Sequence, residues 1–172
     1  DELIKLASQL ADEPDTRELD LLLSTGEMIS CTLVAMTLRH MGFDSISLTG
    51  AQAGIRTDTT HNRARIVAVD PSRVHRELAA GRIVVVAGFQ GMTDELDVTT
   101  LGRGGSDTTA VAMAAILKAD LCEIFTDVDG VFSADPRIEP RAQKIEEISY
   151  EEMLELAQQG AKVMHPRAVE LG

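Results

Sequence analysis

Ile83-Val-Val-Val-Ala-Gly88 is a continuous apolar run rich in β-branched residues. It predicts a strand covered on both faces, as the strands of a parallel sheet are. The run ends in glycine and leads through Phe89-Gln90-Gly91 and a polar loop into Gly102-Arg-Gly-Gly-Ser-Asp107. Thr108 to Lys118 (TTAVAMAAILK) then has the small, apolar composition of a buried helix. Strand, glycine-rich turn and helix in that order are the parts of an α/β fold.

The flanks repeat the theme. Apolar residues from Thr16 to Met41 recur mostly at three- and four-residue steps, which predicts helix, interrupted at Ser24-Thr25-Gly26 and stopped at Gly42. Ser45 to Thr49 and Ala64 to Val69 read as strands. Asp70-Pro71 reads as an N-cap followed by proline at the first helical position, opening a helix that reaches Ala80 and stops at Gly81. Leu121 to Thr126 reads as a further strand. Ser149 to Glu152 matches a capping box, with Ile148 and Met153 placed to form its hydrophobic staple, and the helix it opens spans 150–159 and ends at Gly160. Another helix starts at Pro166. The whole predicts a three-layer α/β/α sandwich with a mainly parallel central sheet and a site at the carboxyl ends of its strands.

Composition narrows the function. The 172 residues carry 16 Lys and Arg against 28 Asp and Glu, a formal charge of −12. That leaves no basic stripe for a nucleic-acid backbone, so no nucleic-acid partner is expected. With 44% hydrophobic residues the chain can bury a core. Ile83 to Phe89, the longest apolar stretch, falls far short of a bilayer span, and no membrane partner is expected. Cys31 and Cys122 sit far apart in apolar segments, which suits buried thiols in a reducing compartment, with the cytoplasm as the expected location. The chain opens at Asp1 without Met and stops just after the helix at Pro166, and it reads as a piece of a longer polypeptide.

Three glycines in four residues at Gly102, Gly104 and Gly105 let a backbone approach a ligand closely, and the helix behind them offers unpaired N–H groups. Arg103 adds a guanidinium fork suited to a carboxylate or phosphate. The segment lacks the third glycine of a dinucleotide-binding fingerprint, and no Walker A sequence occurs. Thr126-Asp-Val-Asp-Gly-Val-Phe-Ser-Ala-Asp-Pro-Arg137 follows a predicted strand; it fits either a nucleotide loop or a surface turn. It is not a calcium loop, because Gly130 is misplaced and no closing glutamate follows. Glu27 belongs either to a solvated face or to a cleft where it would hold an ammonium group. Lys162 and His165 are ambiguous in the same way, and His40, His61, His75 and His165 show no zinc spacing, so no metal held by the protein alone is expected. No Gly-x-Ser-x-Gly elbow supports a serine hydrolase.

Taken together, these segments resemble the aspartokinases of the amino acid kinase family. The likeness runs along essentially the whole chain: Leu23-Ser-Thr-Gly-Glu27, Gly50-Ala-Gln-Ala-Gly54, Ala87-Gly-Phe-Gln-Gly91, Thr99-Thr-Leu-Gly-Arg-Gly-Gly-Ser-Asp107, Thr126-Asp-Val-Asp-Gly130, Ala134-Asp-Pro-Arg137, and Gly160-Ala-Lys162 leading to His165-Pro166. The resemblance implies a carbamate kinase-like fold and transfer of the γ-phosphoryl group of ATP, with Mg²⁺, to the β-carboxylate of L-aspartate, for lysine, threonine and methionine synthesis. It implies that Glu27 holds the substrate ammonium and Arg103 a substrate carboxylate. Gly104, Gly105 and Ser106 would complete the substrate site, and Asp107 and Lys162 would be catalytic. ATP would be bound by Thr126, Asp127, Phe132, Ser133, Ala134, Asp135, Pro136, Arg137 and Lys162. It further implies that residues 1–172 are part of a catalytic domain lacking an opening strand with a Lys-x-Gly-Gly-Ser-type phosphate loop. The small effector-binding (ACT) domains through which end products act would lie beyond it, and association with a second copy or a regulatory subunit is expected. Kinases of glutamate, acetylglutamate or nucleoside monophosphates are the alternatives within the fold, and a non-catalytic regulatory subunit the alternative outside enzymes. The pairing of Arg103 with Glu27, a cation for a carboxylate and an anion for an ammonium, favours aspartate.

Overall fold

A computed structural model describes residues 2–158 and 163–171. Helix α1 (Glu2–Leu10), whose Leu3, Leu6, Ala7 and Leu10 recur at helical steps, precedes the long helix α2 (Thr16–His40). Asp15 caps α2: its Oδ1 accepts the backbone N–H groups of Arg17 (3.0 Å) and Glu18 (3.1 Å). The expected interruption does not occur. Ser24 and Thr25 donate their hydroxyls back to the carbonyls of Leu21 (2.7 Å) and Leu22 (2.6 Å), so their polar groups are satisfied within the helix and α2 runs unbroken for 25 residues. It ends at Gly42, whose φ of +92° lies in the left-handed region.

Strands β1 (Ser45–Leu48), β2 (Ile55–Thr57) and β3 (Ile66–Val69) follow, then α3 (Ser72–Ala79) and β4 (Ile83–Val86). α3 starts one residue later than expected: Pro71 and not Asp70 stands at its N-cap, without a side-chain cap bond, while Asp70, one residue outside, accepts the Ser72 N–H (3.0 Å). Next come β5 (Gln90–Met92), β6 (Val98–Thr100), α4 (Gly105–Leu117), α5 (Tyr150–Gln158) and α6 (Pro166–Leu171).

The strands form two sheets among the described residues. β1 and β4 pair in parallel, Ser45 opposite Ile83 through Leu48 opposite Val86. β3, β2, β5 and β6 make a mixed sheet in which only β2 and β5 run parallel. The α/β class and the parallel pair beside the glycine-rich turn stand as expected; the mixed sheet was not read from the sequence. Residues alternate across β1. Ser45 donates its hydroxyl to the Ala35 carbonyl of α2 (2.8 Å), while Ile46 and Leu48 on the other face join Val84, Val86, Val74 of α3, and Met113 and Leu117 of α4 in the main core. Helix, sheet and helices thus stack in three layers around the parallel pair.

Three local expectations are corrected. β4 is less buried than expected: α2 and α3 both pack on it, yet Val84 to Val86 are half-buried and Ile83 is exposed, because a cavity opens over Val84 and Val86 and β1 is the one strand that pairs with it among the described residues. Leu121 to Thr126 forms no strand. It pairs with no neighbour among the described residues, Leu121 and Phe125 are exposed, and an apolar run without a ladder has nothing to hold it extended. Cys31 is buried as expected, but Cys122 lies in that unpaired segment and is exposed. By length and composition α2 could cross a membrane, yet its inner face lies on β1, β4 and β6 with Asp20 and Ser24 fully buried in it.

Helix α5 keeps its predicted start. Glu152 accepts the Ser149 N–H (3.1 Å) and Ser149 Oγ accepts the Glu152 N–H (3.2 Å), the reciprocal bonds of a capping box. Ile148 and Met153 meet in a second apolar cluster with Ala157 and Val169. The expected stop at Gly160 lies outside the described residues.

Candidate active site

The glycine-rich turn joins β6 to α4. Leu101 donates its N–H to the Phe89 carbonyl (2.9 Å), which ties the start of the turn to the residue just before β5. Gly102 (φ +78°) and Gly104 (φ +67°) both take left-handed conformations that an L side chain rarely adopts. Each also faces an obstacle. A β-carbon on Gly102 would come within 2.8 Å of the Asn62 carbonyl oxygen, and one on Gly104 would run into the His165 ring. Gly105 and Ser106 open α4, and Thr108 and Thr109 donate their hydroxyls to the carbonyls of Gly104 (2.9 Å) and Gly105 (2.8 Å). Thr109 Oγ1 also accepts the Phe89 N–H (3.1 Å). Turn, strand end and helix start are therefore one hydrogen-bonded unit.

A cavity of about 370 Å³ opens beside this unit, and Glu27 from α2, Gly88 at the end of β4, and Ser106 and Thr109 from α4 line its polar side. Val84, Val86 and Met113 floor it. The structure thus brings Glu27 to the start of α4, across 79 residues of chain in Ser106's case, and puts both at the carboxyl end of a parallel strand. Glu27 is half-buried and forms no ion pair among the described residues. Arg103 is exposed at the turn, likewise without an ion pair, and does not line the cavity. Asp107 is half-buried in the first turn of α4, where a carboxylate is favoured by the unpaired N–H groups.

None of the described residues expected to bind nucleotide lines this cavity. Thr126 and Asp127 are exposed, the Thr126 hydroxyl pointing to Asp127 Oδ1 at 3.4 Å. Phe132 bridges to Lys144, and Ser133 exchanges bonds with Gln143: its N–H reaches the Gln143 carbonyl (2.9 Å) and its Oγ accepts the Gln143 N–H (3.0 Å). Ala134, Pro136 and Arg137 are exposed. Arg137 donates to Asp135 through Nε (3.0 Å) and Nη2 (2.8 Å), and these hydrogen bonds to the carboxylate raise the guanidinium pKa above its ordinary value. Lys162 lies outside the described residues. Among the described residues no cluster of three or more His, Cys, Asp or Glu could hold a metal ion.

Sequence reasoning left His165 ambiguous and overlooked Asp20. His165 seats its ring against Gly104, and Arg167 of α6 reaches the Leu101 carbonyl at 3.4 Å, so α6 buttresses the turn from outside. Asp20, fully buried on α2, meets His61 Nδ1 at 2.8 Å, accepts the Asn62 N–H at 3.0 to 3.1 Å and accepts the Thr100 hydroxyl. An acidic residue inside the apolar stripe of Leu19, Leu22 and Leu23 was the available signal.

Known proteins share this sequence and fold. The chain is 58% identical over 170 residues to aspartokinase 2 of Bacillus subtilis, covering 99% of this chain and 42% of that protein. It superposes on aspartate kinase from Synechocystis with a TM-score of 0.82 at 49% identity, covering 98% of this chain and 27% of that one. Against E. coli aspartokinase III in complex with aspartate and ADP the TM-score is 0.87 at 32% identity, over 99% of this chain and 39% of that one. The chain thus spans about two-fifths of the length of the curated relatives it matches. The family model for the amino acid kinase family matches residues 1–172. With the glycine-rich turn, the parallel strand end and the facing carboxylate in place, the chain belongs to the amino acid kinase family.

Proposed function

We propose that the polypeptide to which these residues belong is an aspartate kinase, transferring the γ-phosphoryl group of ATP to the β-carboxylate of L-aspartate to give 4-phospho-L-aspartate and ADP. The observation that carries the reading is the shared cavity of Glu27 and Ser106 beside the Arg103 turn. It sets a carboxylate with no ion pair among the described residues, fit for an ammonium group, against a turn that offers the Arg103 guanidinium and backbone N–H groups to a carboxylate. High identity to aspartokinases supports the same substrate.

In this reading Glu27 binds the substrate ammonium, and Arg103 with Gly104, Gly105 and Ser106 binds carboxylate. Asp107 orients the groups at the start of α4. A β-carboxylate oxygen forms the new P–O bond as the bond from the γ-phosphorus to the β,γ-bridging oxygen breaks, and the electron pair leaves with ADP. The attacking carboxylate is already ionised, so no base is needed, and the work of the protein is positioning and charge neutralisation. Mg²⁺ enters with ATP as the substrate complex. Thr126, Asp127 and residues 132–137, with Lys162, are assigned to that nucleotide by their resemblance to the family pattern. A phosphate loop ahead of Asp1, effector-binding domains, association with a second copy or regulatory subunit, a cytoplasmic location, and a place at the head of lysine, threonine and methionine synthesis belong to the same proposal.

The test is ATP- and Mg²⁺-dependent acyl phosphate formation, trapped with hydroxylamine, on the complete polypeptide, with L-aspartate, L-glutamate and N-acetylglutamate as acceptors. Hydroxamate from L-aspartate in clear excess is the expected result. No product from aspartate, or preference for another acceptor, would overturn the proposal.

A further inference from the structure

Asp20, Ser24 and Glu27 stand at positions i, i+4 and i+7 of one unbroken helix and share its inner face. Each does something different there. Ser24 offers its carbonyl to Gln90 Nε2 (3.0 Å), which anchors β5, and Glu27 lines the cavity. Asp20 has no lysine or arginine beside it among the described residues and spends both oxygens on a loop and a strand end. A buried carboxyl group costs more than the leucine its neighbours would accept, so its retention calls for a directional role.

The direction is toward the turn. Asn62, held by Asp20 through its N–H, sits at φ +64°, and its carbonyl oxygen fills the space left open at Gly102. Thr100, held through its hydroxyl, ends β6 two residues before Gly102 and accepts the Ala64 N–H at 2.9 Å. Both walls of the turn that carries Arg103 are therefore pinned to the helix that carries Glu27, and the pin is one carboxyl group.

We infer that Asp20 is a positioning residue that sets the separation between Glu27 and Arg103, and so selects the acceptor by the distance between its ammonium and carboxylate groups. The inference rests on the aspartate kinase reading and adds to it the source of discrimination between aspartate and its one-methylene-longer homologue. A loosened turn would let Arg103 retreat, weakening the short acceptor and admitting the long one.

The experiment measures KM for aspartate, KM for ATP and the aspartate-to-glutamate ratio of kcat/KM on the complete polypeptide carrying Asp20→Asn, Thr100→Val or Thr100→Ser, with thermal melts to establish folding. Asp20→Asn and Thr100→Val are expected to raise KM for aspartate and to lower the ratio by about fivefold or more, with KM for ATP within about twofold of the unsubstituted protein. Thr100→Ser, which keeps the hydroxyl, restores both values. Should Asp20→Asn fail to fold, the Thr100 pair decides by itself, since Val and Thr are nearly equal in shape and differ in the bond to Asp20. A folded Thr100→Val protein with unchanged aspartate KM and unchanged ratio overturns the inference while the kinase reading stands. So does a parallel rise in both KM values, which marks general loosening. An unsubstituted polypeptide with no aspartate turnover overturns the kinase reading and this inference with it.

Discussion

The His165 side chain, its Cβ foremost and the ring carbon Cγ behind it, occupies the volume into which a side chain on Gly104 would project. Gly104 is also left-handed, at φ +67°. Gly104→Ala therefore meets two costs, about 1–2 kcal/mol for the backbone of an L residue and a further clash with that side chain. The expected outcome is a fall in denaturation midpoint and in aspartate turnover together. Adding His165→Gly, which removes the Cβ that an alanine would keep, should relieve the clash and leave the backbone cost of Gly104→Ala, so a double-mutant cycle on unfolding free energies should show coupling.

Arg103 stands exposed beside the cavity, without an ion pair among the described residues. Arg103→Ala should leave the fold intact, because the side chain packs against nothing it supports. In the complete polypeptide it should cost about 1.5–3 kcal/mol in kcat/KM for aspartate, the worth of a hydrogen bond to a charged group, with KM for ATP little changed. Steady-state kinetics with each substrate varied checks it. Unaltered aspartate kinetics would remove Arg103 from the substrate site.

Glu77 of α3 is 4% exposed, with Arg73 Nε and Arg82 Nη1 each 2.5 Å from one of its oxygens. Hydrogen bonds, from Arg82 first and then Arg73, hold its carboxyl below the ordinary glutamate range against the opposing effect of burial. A carboxyl whose pKa is depressed by folding adds stability above its unfolded value of about 4.3, and that contribution disappears as pH falls through the folded value. Urea midpoints of the unsubstituted chain should therefore drop on acidification below about pH 4. Glu77→Gln should start lower at neutral pH and show a shallower acid slope.

Ser149 and Glu152 satisfy each other's N–H groups at the start of α5. Ser149→Ala should lower the unfolding free energy by about 1 kcal/mol, read from chemical denaturation, and Ser149→Thr should keep most of it. Equal stability of the Ala variant would mean the cap is dispensable here.

What the sequence disclosed and what it hid divide by whether a signal is local. The capping box at Ser149, the stop at Gly42 and the Gly102 to Ser106 turn are written in consecutive residues, and all stand where expected. β2, β5 and β6 are three-residue strands with sequences such as QGM and VTT, too short for alternation to show. They exist because distant partners complete them: Thr57 meets Thr99 through their hydroxyls, and Gln90 reaches Ser24. The same physics works in reverse at Leu121 to Thr126, which has strand composition and no partner strand among the described residues. Glu27 was legible as a candidate because polar residues broke an apolar helix, although the helix itself did not break. Asp20 was not, since only folding shows that Asn62 and Thr100 converge on it.

The parallel pairing of β1 with β4 also bears on the order of assembly. The strands are joined at their starts by the Arg82 contact to Asp44, 38 residues away in the chain, and by the Ile83 N–H to the Asp44 carbonyl at 2.9 Å. No tight hairpin can bring them together; the intervening β2, β3 and α3 must be gathered first or carried as a long closed loop. Helices α2 and α3, built from near neighbours, can form before the ladder does, while the ladder waits on a non-local encounter. The strand on which the candidate site stands is thus joined late, and the cavity beneath Glu27 is among the last features of the chain to take shape.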